Sequence, residues 1–233
     1  MSAKTQPNCV TYGNCGDSED GVLDTSCVGK QPPQKLPEDY VSILNAFCPE
    51  LLTQYGDELC CDGDQVLSIS DKLGLASTFI SKCPSCFRNI RQTICNLMCS
   101  PEQYKFLDVT KVAVNNGTGE EKEYVAKADV YIMDHYAQST FASCENVVSG
   151  MTNGPIFDFF CGKWKKAGCN YIRWFEFVGR ASTGVLSIDA NFFFTHPGES
   201  YKAGMQPFDF NTTKCSEPAN VSLINKFFLF HVV

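Results

Sequence analysis

Four cysteines in one short segment are the residues whose spacing could support chemistry. Cys83-x-x-Cys86 has the spacing of a redox-active pair, and together with Cys95 and Cys99 it could form a zinc site. A redox pair of this kind begins a helix that follows a parallel strand, and no strand pattern precedes Cys83. A structural zinc site needs reduced thiols, whereas the chain has 14 cysteines spread over its whole length. That usage is typical of an oxidising compartment, so we expect structural disulfides.

Few other residues could catalyse a reaction. The three histidines, His135, His196 and His231, lie in no recognised motif, and the sequence has no nucleophile elbow, zinc-protease motif or phosphate-binding glycine loop. Asp62 and Asp64 could act as a carboxylate pair, but two acids at the start of a helix are better explained by the helix N-terminus. We therefore expect a protein that is not an enzyme and holds no cofactor or metal ion.

Length and charge limit the remaining classes. A chain of 233 residues can bury a substantial core, and its net charge of −7 argues against binding nucleic acid. No apolar run is long enough to span a membrane, and no apolar leader precedes the first cysteine. We expect residues 1–8 to be a disordered or vector-encoded extension. Residues 9–233 are predicted to form one domain, and the tail after Cys215 could be a last strand or a packed end.

Three Asn-x-Ser/Thr sequons also favour a luminal or extracellular location. They predict N-glycosylation at Asn116, Asn211 and Asn220.

The central predicted element is a helix over the four-cysteine segment. Pro84 suits its first position, and its apolar positions recur with helical spacing at Phe87, Ile90, Ile94, Leu97 and Met98. Because Cys95 and Cys99 are four residues apart, they share another face of this helix. One helix thus offers an apolar stripe and several sulfur anchors.

The other predicted elements are helices before this segment and a small sheet after it. Residues 9–35 show no regular period and are expected to be irregular. Gly74 is expected to end the second helix. The turn sequence near Asn115 predicts a hairpin. Together these patterns predict a disulfide-rich, mostly helical α+β fold with a small mixed sheet. The helices are expected at 38–48, 62–73, 77–82, 84–99, 134–147 and 170–178, and the strands at 109–114, 124–133 and 185–195.

Aromatic residues are abundant: 18 Phe, 9 Tyr and 2 Trp. Several cluster at 156–160, 174–177 and 191–194. These residues could form an ordinary core or line a cavity for a small apolar ligand, and composition does not separate the two.

The order of short motifs does separate them. Cys9-Val-Thr-Tyr-Gly-Asn-Cys-Gly16, Cys60-Cys-Asp-x-x-Gln65, Cys83-Pro-Ser-Cys-Phe-x-Asn89 and Cys95-x-x-x-Cys-Ser-Pro101 occur in this order. With Phe106-Leu-x-Val-Thr110, Cys161-Gly-Lys163, Cys169-Asn170 and Gly204-Met-x-Pro207, they resemble the luminal N-terminal domain of the large Niemann–Pick type C membrane protein family. The resemblance covers about 9–215.

This resemblance implies a function without catalysis. The family's domain holds one sterol such as cholesterol in a buried apolar pocket, with the hydroxyl end innermost. It receives the sterol from the small soluble Niemann–Pick type C carrier and passes it to the membrane portion of its own chain. The implied location is the lumen of late endosomes or lysosomes, or alternatively the outer face of the gut-cell plasma membrane.

The resemblance also implies a disulfide scheme. It pairs Cys9–Cys60, Cys15–Cys27, Cys48–Cys95, Cys61–Cys99, Cys86–Cys144 and Cys161–Cys169. The family partners of Cys83 and Cys215 lie in a cysteine cluster that this chain lacks. We expect these two to bond each other or to remain free.

The resemblance also implies the residues of the binding site, by matching positions of this chain to those of the family. Gln65 matches the glutamine that bonds the sterol hydroxyl, and Ile69 lies beside it. The matched wall positions are Phe87, Asn89, Ile94, Phe141, Val185, Leu186 and Ile188, and the matched mouth positions are Glu176 and Phe177. At the hydroxyl end, Thr11, Asn14 and Ser26 stand where the family usually has tryptophan, glutamate and asparagine. We expect that end to be roomier and wetter.

Two other functions remain open at this point: a vitamin-binding domain like those of folate or riboflavin carriers, and a receptor ectodomain whose ligand is a protein. For sterol binding, we expect Gln65→Ala to weaken affinity severalfold without unfolding the domain.

Overall fold

The structure is a computed structural model that describes residues 8–115, 121–199, 202 and 204–215. It has the predicted α+β class, with seven disulfides. The predictions for residues 1–7, for the sequons at Asn116 and Asn220, and for the chain beyond Cys215, including His231, lie outside the described residues.

Helices make up most of residues 38–106 and recur later in the chain. Within the described residues they are α1 (Glu38–Phe47), α2 (Pro49–Tyr55), α3 (Gly63–Phe79), α4 (Pro84–Cys99), α5 (Gln103–Phe106), α6 (Asp134–Cys144), α7 (Phe157–Phe160), α8 (Lys165–Gly168) and α9 (Tyr171–Val178), with short 3-10 turns at Gly162–Trp164 and Ala181–Thr183.

The predicted central helix is α4, and its first residue is Pro84. The backbone N–H of Cys86 donates to Cys83 Sγ at 3.3 Å, which caps the helix start. Twelve of its 16 residues are buried, so nearly the whole circumference of α4 contacts other elements. This burial explains why α4 can anchor the rest of the fold.

The sequence predicted two helices separated at Gly74, but the structure has one helix, α3, across this region. It is continuous from Gly63 to Phe79. A glycine inside a helix costs only about 1 kcal/mol relative to alanine. The capping box at Asp62 and the complete burial of Ile69 and Leu73 outweigh that cost.

The main sheet is small and mixed, as predicted. Its strands follow the order β1-β2-β6-β5, and β7 pairs with β6 in parallel while the other pairs are antiparallel. A separate two-stranded sheet joins β3 to β4. The strands are β1 (Thr11–Asn14), β2 (Ser26–Val28), β3 (Gln34–Lys35), β4 (Glu58–Leu59), β5 (Leu107–Asn115), β6 (Lys122–Met133) and β7 (Asp189–Thr195).

Three boundaries differ from the predictions. The segment 9–35 contains β1, β2 and β3, which are too short to show a period of two residues. Strand β7 begins at Asp189, so residues 185–188 form a loop, and α6 ends at Cys144 instead of continuing to Val147. Helix α2 was not predicted, because its seven residues are too few to show a helical period.

The disulfides join the cysteines in seven pairs. Six are those implied by the resemblance: Cys9–Cys60, Cys15–Cys27, Cys48–Cys95, Cys61–Cys99, Cys86–Cys144 and Cys161–Cys169. The seventh joins Cys83 to Cys215, which is one of the two outcomes expected for this pair.

Side chains of α4 also hold the segment before Cys215. The side-chain amide of Asn89 donates to Thr213 O at 2.9 Å, and the Thr213 N–H donates back to Asn89 Oδ1 at 3.1 Å. Arg88 Nη1 donates to Thr213 Oγ1 at 2.9 Å. The Cys83–Cys215 disulfide therefore reinforces a segment that hydrogen bonds already dock.

We predict that the double variant Cys83→Ser/Cys215→Ser folds but has a free energy of unfolding about 4 kcal/mol lower than that of the wild type, because the disulfide spans 132 residues. Serine at position 83 keeps an acceptor for the helix cap. Guanidinium denaturation measures the loss. The matched control Cys15→Ser/Cys27→Ser removes a disulfide spanning 12 residues and should lose less. A larger loss in the control would contradict the prediction that the Cys83–Cys215 disulfide stabilises the fold more than Cys15–Cys27 does.

A carboxylate between two guanidinium groups joins α2 to α4. Arg91 Nη2 donates to both oxygens of Glu50, at 2.8 and 3.0 Å, and Arg88 Nε donates to Glu50 Oε1 at 3.1 Å. Burial by itself raises the pKa of the Glu50 carboxyl, but the two arginines outweigh it and hold the pKa below its usual value. This stabilisation is present above the unfolded-state pKa and is lost as the pH falls through the lower folded-state pKa.

We expect Glu50→Gln to lower the free energy of unfolding by about 1–3 kcal/mol at neutral pH, because charge-assisted hydrogen bonds are lost. The difference from the wild type should shrink as the pH falls through the lowered folded-state pKa of Glu50, where the carboxyl itself becomes protonated. Denaturation across a pH series measures this change, with the exposed Glu145→Gln as control. A difference that does not vary with pH would show that the charge of Glu50 is not involved.

Candidate functional site

An apolar cavity of about 210 Å³ lies between α3, α4, α7 and α9 and is partly open to the surface. Helices α3 and α9 and the loop after α9 supply most of its wall. It is lined by Lys72, Leu75, Ala76, Phe79, Ile80, Ile90, Thr93, Ile94, Phe159, Phe160, Trp174, Phe175, Val178, Thr183, Gly184 and Val185.

Helical spacing brings these side chains to the cavity. On α3, Lys72, Ala76 and Phe79 recur at intervals of four and three residues and so lie on one face. On α9, Trp174 and Val178 are four residues apart. The C-terminal half of α3 can form this wall only because the helix continues through Gly74.

Aromatic contacts join α3 to α7 in the wall of the cavity. The ring of Phe79 lies 5.7 Å from the ring of Phe159 and 5.7 Å from that of Phe160. The disulfide Cys161–Cys169 lies between α7 and α9, directly after Phe160, and ties the chain together at that point. The aromatic wall is therefore positioned by ring contacts and by a covalent bond.

Two of the matched wall residues, Ile94 and Val185, line the cavity. Phe141 lies behind it: its ring stacks on Phe157 at 4.7 Å and contacts Trp174, which is a lining residue, at 6.1 Å. Phe87, Leu186 and Ile188 are buried in the hydrophobic core and are not among the lining residues.

The remaining wall and mouth positions face other parts of the fold. Asn89 is fully buried, and its amide bonds Ser143 and Thr213 instead of facing the cavity. Glu176 pairs with Arg180 on the exposed side of α9, and Phe177 packs against Gly162. The cavity-facing side of α9 carries Trp174, Phe175 and Val178, which helical geometry places away from positions 176 and 177.

Gln65 is 2% exposed and has a structural task at the start of α3. Its Oε1 accepts from the backbone N–H of Gly13 at 2.6 Å and from that of Asp62 at 3.3 Å, which completes the capping box. Its Nε2 has no hydrogen-bond partner among the described residues. A buried amide with an unpaired donor is costly, so Gln65 has a hydrogen bond to offer a ligand oxygen.

The residues expected at the hydroxyl end lie in β1 and β2, near Gln65. The hydroxyl of Thr11 accepts from Gln103 Nε2 at 3.1 Å, and Asn14 Nδ2 donates to Asp24 Oδ1 at 3.0 Å. Ser26 is buried and pairs with Asn14 across the two strands. The polar groups of Thr11 and Asn14 therefore have protein partners.

Lys72 stands between Gln65 and the cavity. It lies two turns after Gln65 on the same face of α3, about 10 Å along the helix, and it borders the cavity, whereas Gln65 and Ile69 do not. Lys72 Nζ donates to Ser187 Oγ at 2.9 Å. Burial lowers the pKa of the Lys72 ammonium, and the nearby carboxylate of Asp24 opposes that shift.

Most of the lining residues were not predicted from the sequence, although two signals pointed to them. The 156–160 and 174–177 aromatic clusters supply four of these residues. The stripe of α3 continues through Leu75, Ala76 and Phe79, but the assumed break at Gly74 concealed it. Lys72 had no signal, because a lysine in a helix is usually solvated.

Two further possibilities have no support in the described part of the chain. No group of three or more histidine, cysteine or acidic side chains there is arranged to hold a metal ion. No helix there has the length and hydrophobicity needed to cross a membrane.

Comparisons with known proteins agree on one family. The family model described as "Niemann-Pick C1 N terminus" matches residues 6–223. The chain is 32% identical over 213 residues to the pig protein named "NPC intracellular cholesterol transporter 1", and 29% identical over 215 residues to the human "NPC1-like intracellular cholesterol transporter 1". Each match covers 90% of this chain but only 16% of the relative's length. The chain therefore belongs to the Niemann-Pick C1 N-terminal domain family.

Proposed function

We propose that this chain binds one sterol such as cholesterol, with the hydroxyl at Gln65 and the hydrocarbon end in the apolar cavity. The observation that carries the proposal is the unpaired, buried Nε2 of Gln65 on the same face of α3 that leads to the cavity. An amphiphile with one hydroxyl and a rigid apolar body satisfies both features. The relatives are named as cholesterol transporters, and these names support the same class of ligand.

The proposal requires a passage to open beside Lys72, because Gln65 does not line the cavity. A cavity of about 210 Å³ is smaller than the roughly 300–1,000 Å³ typical of small-molecule pockets. The ligand must also extend past Lys72 to reach Gln65. We infer that entry of the sterol moves Lys72 and the loop that contains Ser187.

Apolar burial supplies most of the affinity in this proposal. Burying several hundred Å² of sterol at about 25 cal/mol per Å² gives a gross gain of roughly 10 kcal/mol before the cost of association. One neutral hydrogen bond contributes only about 1 kcal/mol, whereas an unmade buried one costs about 1–3 kcal/mol. Gln65 therefore contributes mainly to discrimination between a sterol and an analogue without the hydroxyl.

An exposed apolar rim supports exchange with another protein. Leu75 is 65% exposed and Phe159 is 45% exposed, and both line the cavity. We propose that this rim meets the small soluble Niemann–Pick type C carrier and that the sterol then passes to the membrane portion of the parent chain. The proposed location is the lumen of late endosomes or lysosomes, with the outer face of the gut-cell plasma membrane as the alternative.

The structure offers less to a vitamin. A folate- or riboflavin-binding site would hold several charged groups, and the described lining of this cavity has one, Lys72. Competition by unlabelled sterol against a radiolabelled sterol distinguishes these classes, because a vitamin or a protein ligand would not depend on it.

We predict that Gln65→Ala removes the preference for cholesterol over the same steroid without its hydroxyl, a preference of about tenfold in the wild type from roughly 1.4 kcal/mol. It should also lower the melting temperature, because Gly13 and Asp62 lose their acceptor. The ratio of the two affinities reports on the ligand and is insensitive to a partly unfolded sample.

The control variant is Ala76→Phe, which fills the cavity without contacting Gln65. It should weaken binding of both steroids equally. Retention of the full hydroxyl preference in Gln65→Ala would remove this residue from the site.

Leu75→Gln should slow sterol transfer from the soluble carrier severalfold while it leaves equilibrium affinity within about twofold, since the exposed part of Leu75 belongs to the rim. Transfer of radiolabelled cholesterol between the two purified proteins measures the rate. Leu67→Gln, on an exposed position of α3 that does not line the cavity, is the matched control. Equal rates in both variants would mean that the rim does not meet the carrier.

A further inference from the structure

Among the described residues that line the cavity, Lys72 is the one with a charged side chain. The other lining residues have apolar side chains, except Gly184, which has none, and Thr93 and Thr183, which carry hydroxyls. A lysine ammonium has three N–H donors, and the structure assigns one of them to Ser187 Oγ. A ligand that fills the passage takes the place of solvent around the other two. Because unpaired buried donors are costly, a purely hydrocarbon ligand is penalised at this point.

The carboxylate of Asp24 lies near the Lys72 ammonium and acts on it electrostatically. Its two oxygens accept from Asn14 Nδ2 and from Ser68 Oγ, each at 3.0 Å. An anionic ligand group beside Lys72 would also meet the Asp24 carboxylate. A neutral oxygen, such as a ketone or hydroxyl, can accept from Lys72 without that repulsion.

The spacing along α3 sets where this oxygen must be. Gln65 and Lys72 are seven residues apart, so their side chains project from the same face about 10 Å from each other. That distance is comparable to the length of a fused four-ring nucleus. With the sterol hydroxyl at Gln65, an oxygen at the far end of the nucleus or at the start of the side chain lies beside Lys72.

We infer that Lys72 is a specificity-determining residue that selects sterols with a second, neutral oxygen near the junction of the ring system and the side chain. This inference rests on the sterol function proposed above and names its ligand more narrowly. It assigns to the chain a preference for an oxygenated steroid over one with a plain hydrocarbon end. Ser187 is the internal acceptor that this ligand oxygen supplements or replaces.

The test uses three steroids that differ at one position. Pregnenolone has the ring hydroxyl and a ketone at the start of its side chain; the second steroid lacks the ketone oxygen, and the third has a carboxylate in its place. Binding of each to the wild type is measured by competition with radiolabelled cholesterol. We expect the ketone to bind about fivefold more tightly than the deoxygenated steroid, and the carboxylate to gain nothing.

Variants assign the preference to Lys72. In Lys72→Met the ratio of ketone to deoxygenated affinity should fall to about one. In Lys111→Met, which removes the same charge from an exposed position on β5, the ratio should stay at the wild-type value. Ser187→Ala frees the ammonium and should raise the ratio, so it tests the same contact even if Lys72→Met does not fold.

The possible results separate this inference from the proposed function. Cholesterol binding with an equal affinity for ketone and deoxygenated steroids, or a preference that survives in Lys72→Met, overturns the role of Lys72 alone. Tighter binding of the carboxylate overturns the argument from Asp24. The absence of competition by any steroid in the wild type overturns both proposals.

Discussion

Two adjacent disulfides at the start of α3 are the constraint on which the rest of the structure depends. Cys60 bonds Cys9, at the start of β1, and Cys61 bonds Cys99, at the end of α4. The Cys60 N–H also donates to Cys99 O at 2.9 Å. Three elements distant in sequence are therefore held at one point, next to the cap that contains Gln65. The cavity lies away from these disulfides, between α3, α4 and the aromatic helices α7 and α9.

Gln65 has a structural role, and the proposed function adds a second role for the same amide group. Its oxygen closes the capping box and receives Gly13 of β1, while its nitrogen has no partner in the described part of the chain. The oxygen therefore fixes the side chain in one orientation, and the donor is held ready without a further loss of rotamer freedom on binding. A residue that also stabilises the fold cannot be replaced freely, so the proposed recognition of the hydroxyl would be coupled to the stability of the fold.

The features predicted correctly from sequence patterns were those with a local signal. The start of α4 at Pro84, the hairpin of β5 and β6 and the α+β class follow from capping, turn residues and periodicity. The cavity needed information that the sequence does not hold: the packing of α7 and α9 against α3, and the tolerance of a helix for Gly74. Glu176 and Phe177 illustrate the limit, because a shift of one or two residues on a helix turns a side chain to a different face.

The Cys83–Cys215 disulfide has a consequence for biosynthesis. Cys83 emerges from the ribosome 132 residues before its partner, whereas Cys86, its neighbour on α4, waits only 58 residues for Cys144. Because chains fold from the N-terminus as they are made, Cys83 must remain a free thiol while several other cysteines are synthesised after it. The α4 anchor therefore becomes complete only after Cys215 has been synthesised, long after the helix itself has been made.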